Sequence, residues 1–182
     1  RSGREGQHIA NTLIEYKNQS DSKYKFDFIS NDSLYLSNSS LVKFILALLE
    51  FILNPDDEIN LSFIAYENQI YLQSIVADKV DLHTILKTSS TEDKEKRLPE
   101  IFPKEFIESL QQIKQLPIYE LIDRVIRIFK LNDQTKELPY LKAFLDIVLD
   151  FSKKSTSDLH SFINWWNEDG IKKTLSVSEN QE

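Results

Sequence analysis

The 182-residue sequence contains no cysteine, no methionine and only three glycines, Gly3, Gly6 and Gly170. Without cysteine, a disulfide scaffold, a zinc ribbon and a cysteine nucleophile are all excluded. Average usage would supply roughly a dozen glycines, and neither G-x-G-x-x-G nor G-x-x-x-x-G-K-[ST] occurs. A nucleotide-binding loop therefore has little to be built from. A sequence that begins at Arg1 and holds no methionine indicates a piece of a longer protein.

Long apolar runs are also absent. The longest extends from Phe44 to Leu49 and resumes at Phe51, far short of the roughly 20 residues that span a bilayer, so we expect a buried helix and no membrane partner. Basic residues number 22 against 29 acidic ones, a net charge of −7 that opposes non-specific nucleic-acid binding by the isolated chain. The lack of cysteine is compatible with the cytoplasmic location that we expect.

The spacing of apolar residues predicts a mainly α, multi-helix bundle-like domain with one or two short β-strands. After a short amphipathic helix over about 5–17, the alternation in YKFDFIS predicts a strand over 24–30, and residues 171–177 are a candidate second strand. Two short strands make a poor independent sheet, so we expect them to belong to an incomplete larger one. A helix over about 39–53, capped by Ser37-Asn38, is apolar nearly all round and should be central.

Acidic residues follow the end of this central helix. Asn54 is a plausible N-cap for the next helix, Pro55 suits its first position, and Asp56-Asp57-Glu58 favour the positive helix end. The same carboxylates could instead form a metal or acid–base cluster, but the capping interpretation is simpler. One long helix or two shorter ones should run to about Leu86, and residues 87–98 should form a polar loop.

Later helices are marked by prolines and caps. Pro103, Pro117 and Pro139 each precede a periodic segment. After Pro117 and Pro139 the predicted apolar stripes are Ile118, Leu121, Ile122, Val125, Ile126, Phe129 and Leu141, Phe144, Leu145, Val148, Leu149. Ion pairs are expected for Glu120–Arg124 and Asp123–Arg127. The last helix should begin near Ser155, where Ser155 and Asp158 fit a capping box, and stop at Gly170.

The last helix also carries the two tryptophans. Trp166 lies on its apolar stripe with Leu159, Phe162 and Ile163, so we expect it in the core. Trp165 lies about 100° around the helix and either covers a boundary or stacks on a partner. The flanking lysines Lys153, Lys154, Lys172 and Lys173 form a basic patch or are scattered in solvent. The histidines His8, His83 and His160 have no ligand-like partner at i+3 or i+4, so a metal role is disfavoured.

Several segments together resemble the exonuclease V beta (RecB/AddA-type) branch of the UvrD-like superfamily-one helicases. Residues 1–13 (RSGREGQHIANTL) resemble the stretch that follows helicase motif IV. The strand YKFDFIS, the segment SNDSLYLSNSSLVKFILALLEFILNPDDEI and LPIYELIDRVIRIF follow in the order of that branch. The ending SFINWWNEDGIKKTLSVSENQE resembles the approach to motif V. The resemblance covers essentially the whole chain.

The resemblance implies a part of the second motor domain and its helical insertion. Residues 1–55 would belong to the motor domain with its RecA-like sheet, 56–170 to the insertion and 171–182 to a return strand. Arg1 would take the position of the motif IV arginine, which contacts the nucleotide γ-phosphate. The parent would use ATP and Mg, act on DNA and have a helicase-nuclease partner subunit.

Several family motifs are missing from these residues. They lack the Walker A lysine, the Walker B carboxylates, the motif VI arginine and the nuclease signature, so we expect no catalytic residue, cofactor or metal for the fragment alone. The G-[IV]-G of the UvrD and Rep helix-hairpin-helix is also missing, which favours the RecB/AddA branch. The alternative that stays open is a free-standing helical protein-interaction domain.

Overall fold

The structure, a computed structural model, describes residues 35–72, 98–134, 137–154 and 158–175, without the side chains of 69–72 and 154. The described residues are mainly helical, as predicted. The helix expected over 5–17, the strand expected over 24–30 and residues 87–97 of the loop expected over 87–98 lie outside them. So does most of the predicted course to Leu86. Leu98, the last residue of that predicted loop, is helical, so the loop prediction is wrong there.

The central helix α1 spans Ser40–Leu53. It contacts four other helices, which confirms its predicted central position. Its cap, however, is Ser39: the Ser39 Oγ accepts a hydrogen bond from the Val42 N–H at 3.2 Å. Ser37 and Asn38 do not cap the helix, because Leu36–Asn38 form a 3₁₀ turn and Ser39 is the residue with extended backbone before α1.

Helix α2 spans Glu58–Leu72 and packs against α1. The N–H groups of Ile59 and Asn60 both donate to Asp57 Oδ1 at 3.0 Å. Asp57 is therefore the cap, not Asn54, and the helix starts later than predicted because Pro55 and Asp56 lie in a turn. These hydrogen bonds confirm the capping interpretation for Asp57.

Helices α3 (Lys104–Ile113) and α4 (Ile118–Ile128) begin directly after Pro103 and Pro117, as predicted, and pack on each other. All six residues of the stripe predicted after Pro117 are buried. Asp123 and Arg127 form the expected ion pair at 2.8 Å. Arg124 instead reaches across to Glu105 of α3 at 2.7 Å, because the packing of α3 on α4 brings that carboxylate within reach.

Helix α5 spans Leu138–Lys154, with Pro139 in its first turn, and α6 spans Leu159–Glu168. The stripe of α5 is narrower than predicted, since Leu145 is half-buried and Leu149 is 39% exposed. Asp158 caps α6: its Oδ1 accepts from the Ser161 N–H at 2.9 Å. Ser155 lies outside the described residues, and α6 begins after Asp158 rather than near Ser155.

No strand is present among residues 35–72, 98–134, 137–154 and 158–175. The described part of the strand expected over 171–177 contains a 3₁₀ turn, Gly170–Lys172, and a single antiparallel bridge from Thr174 to Tyr35. That strand prediction is wrong for 171–175, because the N–H of Lys173 closes a turn on the Gly170 carbonyl at 2.9 Å instead of joining a ladder.

One buried apolar cluster extends from Leu36 to Trp166 and takes residues from each of the helices α1 to α6. It includes α1 and α2, which lie on either side of the domain boundary expected at 55/56. That boundary and the one at 170/171 stay predictions. In the part of the chain that the structure describes, no helix combines the length and the apolar character needed to cross a bilayer.

Candidate functional site

A cluster of aromatic side chains lies between α5 and α6. Phe144 contacts Trp166 edge-on, with ring centroids 5.2 Å apart, and Phe151 contacts Phe162 in the same way at 5.3 Å. Edge-to-face packing of this kind is favourable beyond the burial of apolar area. Trp166 is 3% exposed, which confirms its predicted core position.

Trp165 lies at the boundary of this cluster. Its ring is tilted against Phe151 at 5.1 Å and Phe162 at 5.9 Å, and the side chain is only partly exposed. Of the two interpretations, the described contacts favour a boundary residue whose ring is packed on the core. Its predicted contact with a nucleic acid or a partner stays a prediction.

The lysines around α6 are described only in part. Lys153 lies 3.8 Å from Asp150, and Lys172 lies 3.3 Å from Asp169. These exposed pairs contribute little stability, but each carboxylate lowers the positive charge that its lysine offers to a phosphate. Lys173 is exposed, and the side chain of Lys154 lies outside the described residues, so the predicted patch of four stays a prediction.

The remaining predicted site residues are dispersed or outside the described ranges. Arg1, His8 and His83 lie outside them, and His160 is exposed on α6. In residues 35–72, 98–134, 137–154 and 158–175, no three His, Asp or Glu side chains form a group that could hold a metal ion.

Three buried polar side chains form hydrogen bonds to neighbouring segments of the chain. Ser39 Oγ donates to Glu137 Oε2 at 2.5 Å while it caps α1, and the Asn60 amide donates to the Ala47 carbonyl at 2.9 Å. Asn68 donates in the same way to the Ile101 carbonyl. Each of these bonds satisfies a partner in a neighbouring segment, so a structural role accounts for them.

Two carboxyl groups of the α1–α2 pair have shifted pKa values. Partial burial raises the pKa of Glu50, and the negative charge of Asp57 raises it further. Burial also raises the pKa of Glu67, against the opposing effect of Lys43. The raised pKa values mean that the folded state disfavours the charged form of both carboxyl groups, so the free energy of unfolding depends on pH.

The two ends of the described helical body meet. The Leu36 N–H donates to the Lys173 carbonyl at 2.9 Å, and the Ser37 hydroxyl donates to the Ile171 carbonyl at 3.1 Å. The sequence contains no signal for this approach, because 134 positions separate Ser37 from Ile171.

A groove opens beside these joined ends. It has a volume of about 330 Å³ and lies between α5 and the segment after the last 3₁₀ turn. Its lining residues are Pro139, Lys142, Ala143, Asp146, Ile147, Thr174 and Leu175. Sequence analysis missed this feature; the spacing of Lys142 and Asp146 by four residues was the one visible signal, and it places both on one helix face.

Comparisons with protein families, with curated proteins and with solved structures found no match to this chain.

Proposed function

We propose that this chain is a non-catalytic part of an ATP-dependent DNA helicase-nuclease that acts on double-strand breaks in recombination and repair. The proposal rests on the order of the segments that resemble the exonuclease V beta branch, from the motif IV approach at Arg1 to the motif V approach before Glu182. A cytoplasmic location belongs to the same proposal.

One observation supports the division into a host domain and an insertion. Tyr35, within the range proposed for the motor domain, forms an antiparallel bridge with Thr174, within the range proposed for the return strand. The segments that would flank the insertion over 56–170 therefore lie together, as expected when an insertion leaves its host domain connected. Such an insertion would affect the parent by its position, either guiding DNA or contacting the partner subunit.

The nucleotide chemistry would belong to the parent. ATP and Mg would be held by motifs outside this sequence, with Arg1 as the proposed contribution of this chain to the γ-phosphate. The isolated chain lacks the Walker A lysine and the Walker B carboxylates that would hold ATP and Mg within reach of Arg1. The fragment alone should therefore not turn over ATP.

The first test measures ATP hydrolysis by the purified chain with single-stranded DNA present. We expect no turnover above a buffer control. Clear, DNA-stimulated turnover would overturn the proposal that the fragment is non-catalytic. Reading the flanking gene sequence tests the parentage directly: a Walker A motif before Arg1 and a T-I-H-K-x-K-G element after Glu182 are expected.

DNA binding by the isolated chain should be weak. The net charge of −7 repels phosphates, and Lys153 and Lys172 each lie beside an aspartate. In a titration of labelled single-stranded DNA at physiological salt, we expect no sub-micromolar binding. Tight binding with a steep salt dependence would show that Lys153, Lys154, Lys172 and Lys173 act together.

The alternative function is a free-standing helical protein-interaction domain. A specific observation favours it: Ile59 is 84% exposed and Tyr66 is 50% exposed, and a spacing of seven residues places both on one face of α2. Absence of helicase motifs on both sides of this sequence would support this alternative over the first proposal.

A further inference from the structure

Helix α2 carries apolar side chains on two opposite faces. Its inner face, which includes the buried Leu61 and Ile64, packs against α1. At about 100° per residue, Ile59 and Tyr66 lie on the opposite side of the helix, and their side chains are 84% and 50% exposed. A helix that is apolar on both sides is expected to be covered on both sides. The residues that the structure describes cover only the inner one.

The outer face of α2 is a stripe of three residues, Ile59, Phe63 and Tyr66, at spacings of four and three. This is the spacing of the a and d positions of a coiled-coil heptad, whose side chains insert between those of a second helix. Phe63 is half-buried and packs on the core cluster, so the stripe is anchored at its middle. An extended strand matches it less well, because residues on one face of a strand repeat about every 7 Å, whereas the stripe repeats at about 4.5 and 6 Å.

The charges along α2 have one sign. In the range 54–72 there is no Lys, Arg or His, and the charged residues are Asp56, Asp57, Glu58 and Glu67. The first three precede Ile59, and Glu67 follows Tyr66. Lys43 of α1 offsets part of the charge of Glu67. A helix that packs along the outer face therefore gains most if Lys or Arg residues flank its own apolar stripe.

Other occupants fit this face less well. A second copy of the chain would place the acidic residues of one α2 against those of the other, and like charges across an interface are unfavourable. Helices that lie on membranes carry Lys and Arg beside their apolar face, because lipid surfaces are often anionic. Nucleic acid phosphates are repelled for the same reason.

We propose that the outer face of α2 binds an amphipathic helix of a partner protein, with apolar residues at heptad spacing against Ile59, Phe63 and Tyr66 and with Lys or Arg residues on either side of them. The inference rests on the protein-contacting role that both proposed functions share. Failure of helix binding would remove this face as the contact, whereas the flanking gene sequence tests the helicase parentage separately.

The test is a titration of the fluorescently labelled peptide acetyl-KLAALKAKLAALKAK-amide with the 182-residue protein, followed by anisotropy and by NMR of the ¹⁵N-labelled protein. We expect saturable binding, with shifts at the amides of Ile59, Phe63 and Tyr66. The peptide acetyl-ELAALEAELAALEAE-amide keeps the leucine spacing and reverses the flanking charges, so it should bind about tenfold more weakly or not at all. The peptide acetyl-KLALAKAKLALAKAK-amide keeps the composition but divides the leucines between two helix faces, so its binding should be lost as well.

Two matched variants of the protein separate this face from general apolar adhesion. Ile59→Gln removes the most exposed apolar residue of the stripe, and Ile171→Gln changes a residue outside α2 that is 46% exposed. We expect Ile59→Gln to weaken binding of the first peptide about fivefold and Ile171→Gln to leave it unchanged. Melting curves check that both variants remain folded.

Four results would overturn the inference. They are an absence of saturable binding by the first peptide, equal binding by the acidic peptide, equal binding by the peptide with divided leucines, and an unchanged affinity in Ile59→Gln. Dimerisation of the protein in sedimentation experiments, abolished by Ile59→Gln, would overturn it in favour of a second copy on this face.

Discussion

The six-membered ring of Trp166 covers Gly170 so closely that a β-carbon on Gly170 would lie 2.5 Å from Cε3 of Trp166. The sequence predicts only that the last helix stops at Gly170, and the φ of Gly170 is not positive. The requirement for glycine comes instead from the approach of the indole, which leaves no space for a side chain.

Gly170→Ala should therefore lower the free energy of unfolding by about 1–3 kcal/mol, the usual cost of overpacking. Urea denaturation followed by tryptophan fluorescence measures it. The control Lys173→Ala, on an exposed side chain, should stay within about 0.5 kcal/mol of the parent sequence. Equal stability of Gly170→Ala and the control would contradict the close packing.

Lys130 adopts the left-handed conformation, with φ 51°, directly after the C-cap of α4. A side chain there is strained, so Lys130→Gly should stabilise the protein by roughly 0.5 kcal/mol after the entropic cost of glycine is subtracted. Thermal unfolding measures the gain. Lys114→Gly is the matched control, because Lys114 ends α3 with φ −58°, and it should give no gain. A loss in both variants would rule out strain at Lys130.

Asp57 Oδ1 accepts hydrogen bonds from two N–H groups in the first turn of α2, those of Ile59 and Asn60. We expect Asp57→Ala to cost about 1 kcal/mol and Asp57→Asn to cost much less, because asparagine caps helices as well as aspartate does. Chemical denaturation of the two variants distinguishes capping from charge. If Asn and Ala were equally destabilising, the charge of Asp57 rather than its hydrogen bonds would be the cause.

Glu50 provides a pH-dependent prediction. Its pKa is raised above the ordinary value of 4.5 by burial and by Asp57, so the folded state binds this proton more tightly than the unfolded state. The contribution of Glu50 to stability is therefore fully present below pH 4.5 and is lost as the pH rises through the raised pKa.

Glu50→Gln should accordingly raise the melting temperature at neutral pH. The advantage should shrink as the pH falls to about 4, where Glu50 itself becomes protonated. Melting curves across this range give the measurement, and Glu120→Gln, on an exposed face of α4, is the control. An advantage for Glu50→Gln that did not vary with pH would show that titration is not its origin.

Local apolar spacing is enough to predict most of the described helices and many of the residues that they bury. Apolar spacing of three and four residues identified the stripe from Ile118 to Phe129, all of it buried, and the near-complete apolarity of residues 39–53 identified the central helix. These patterns are local, because a helix face is set by residues one turn apart.

Contacts between residues of different helices depend on how the folded chain packs. Arg124 binds Glu105 of α3 rather than Glu120, because the packing of α3 on α4 brings within reach a carboxylate that is 19 positions away along the chain. Likewise, the bridge between Tyr35 and Thr174 and the groove beside it depend on the path of the chain between them. Of the three glycines in the sequence, Gly170 is explained in the same way: the position of the Trp166 ring leaves no space for a side chain there.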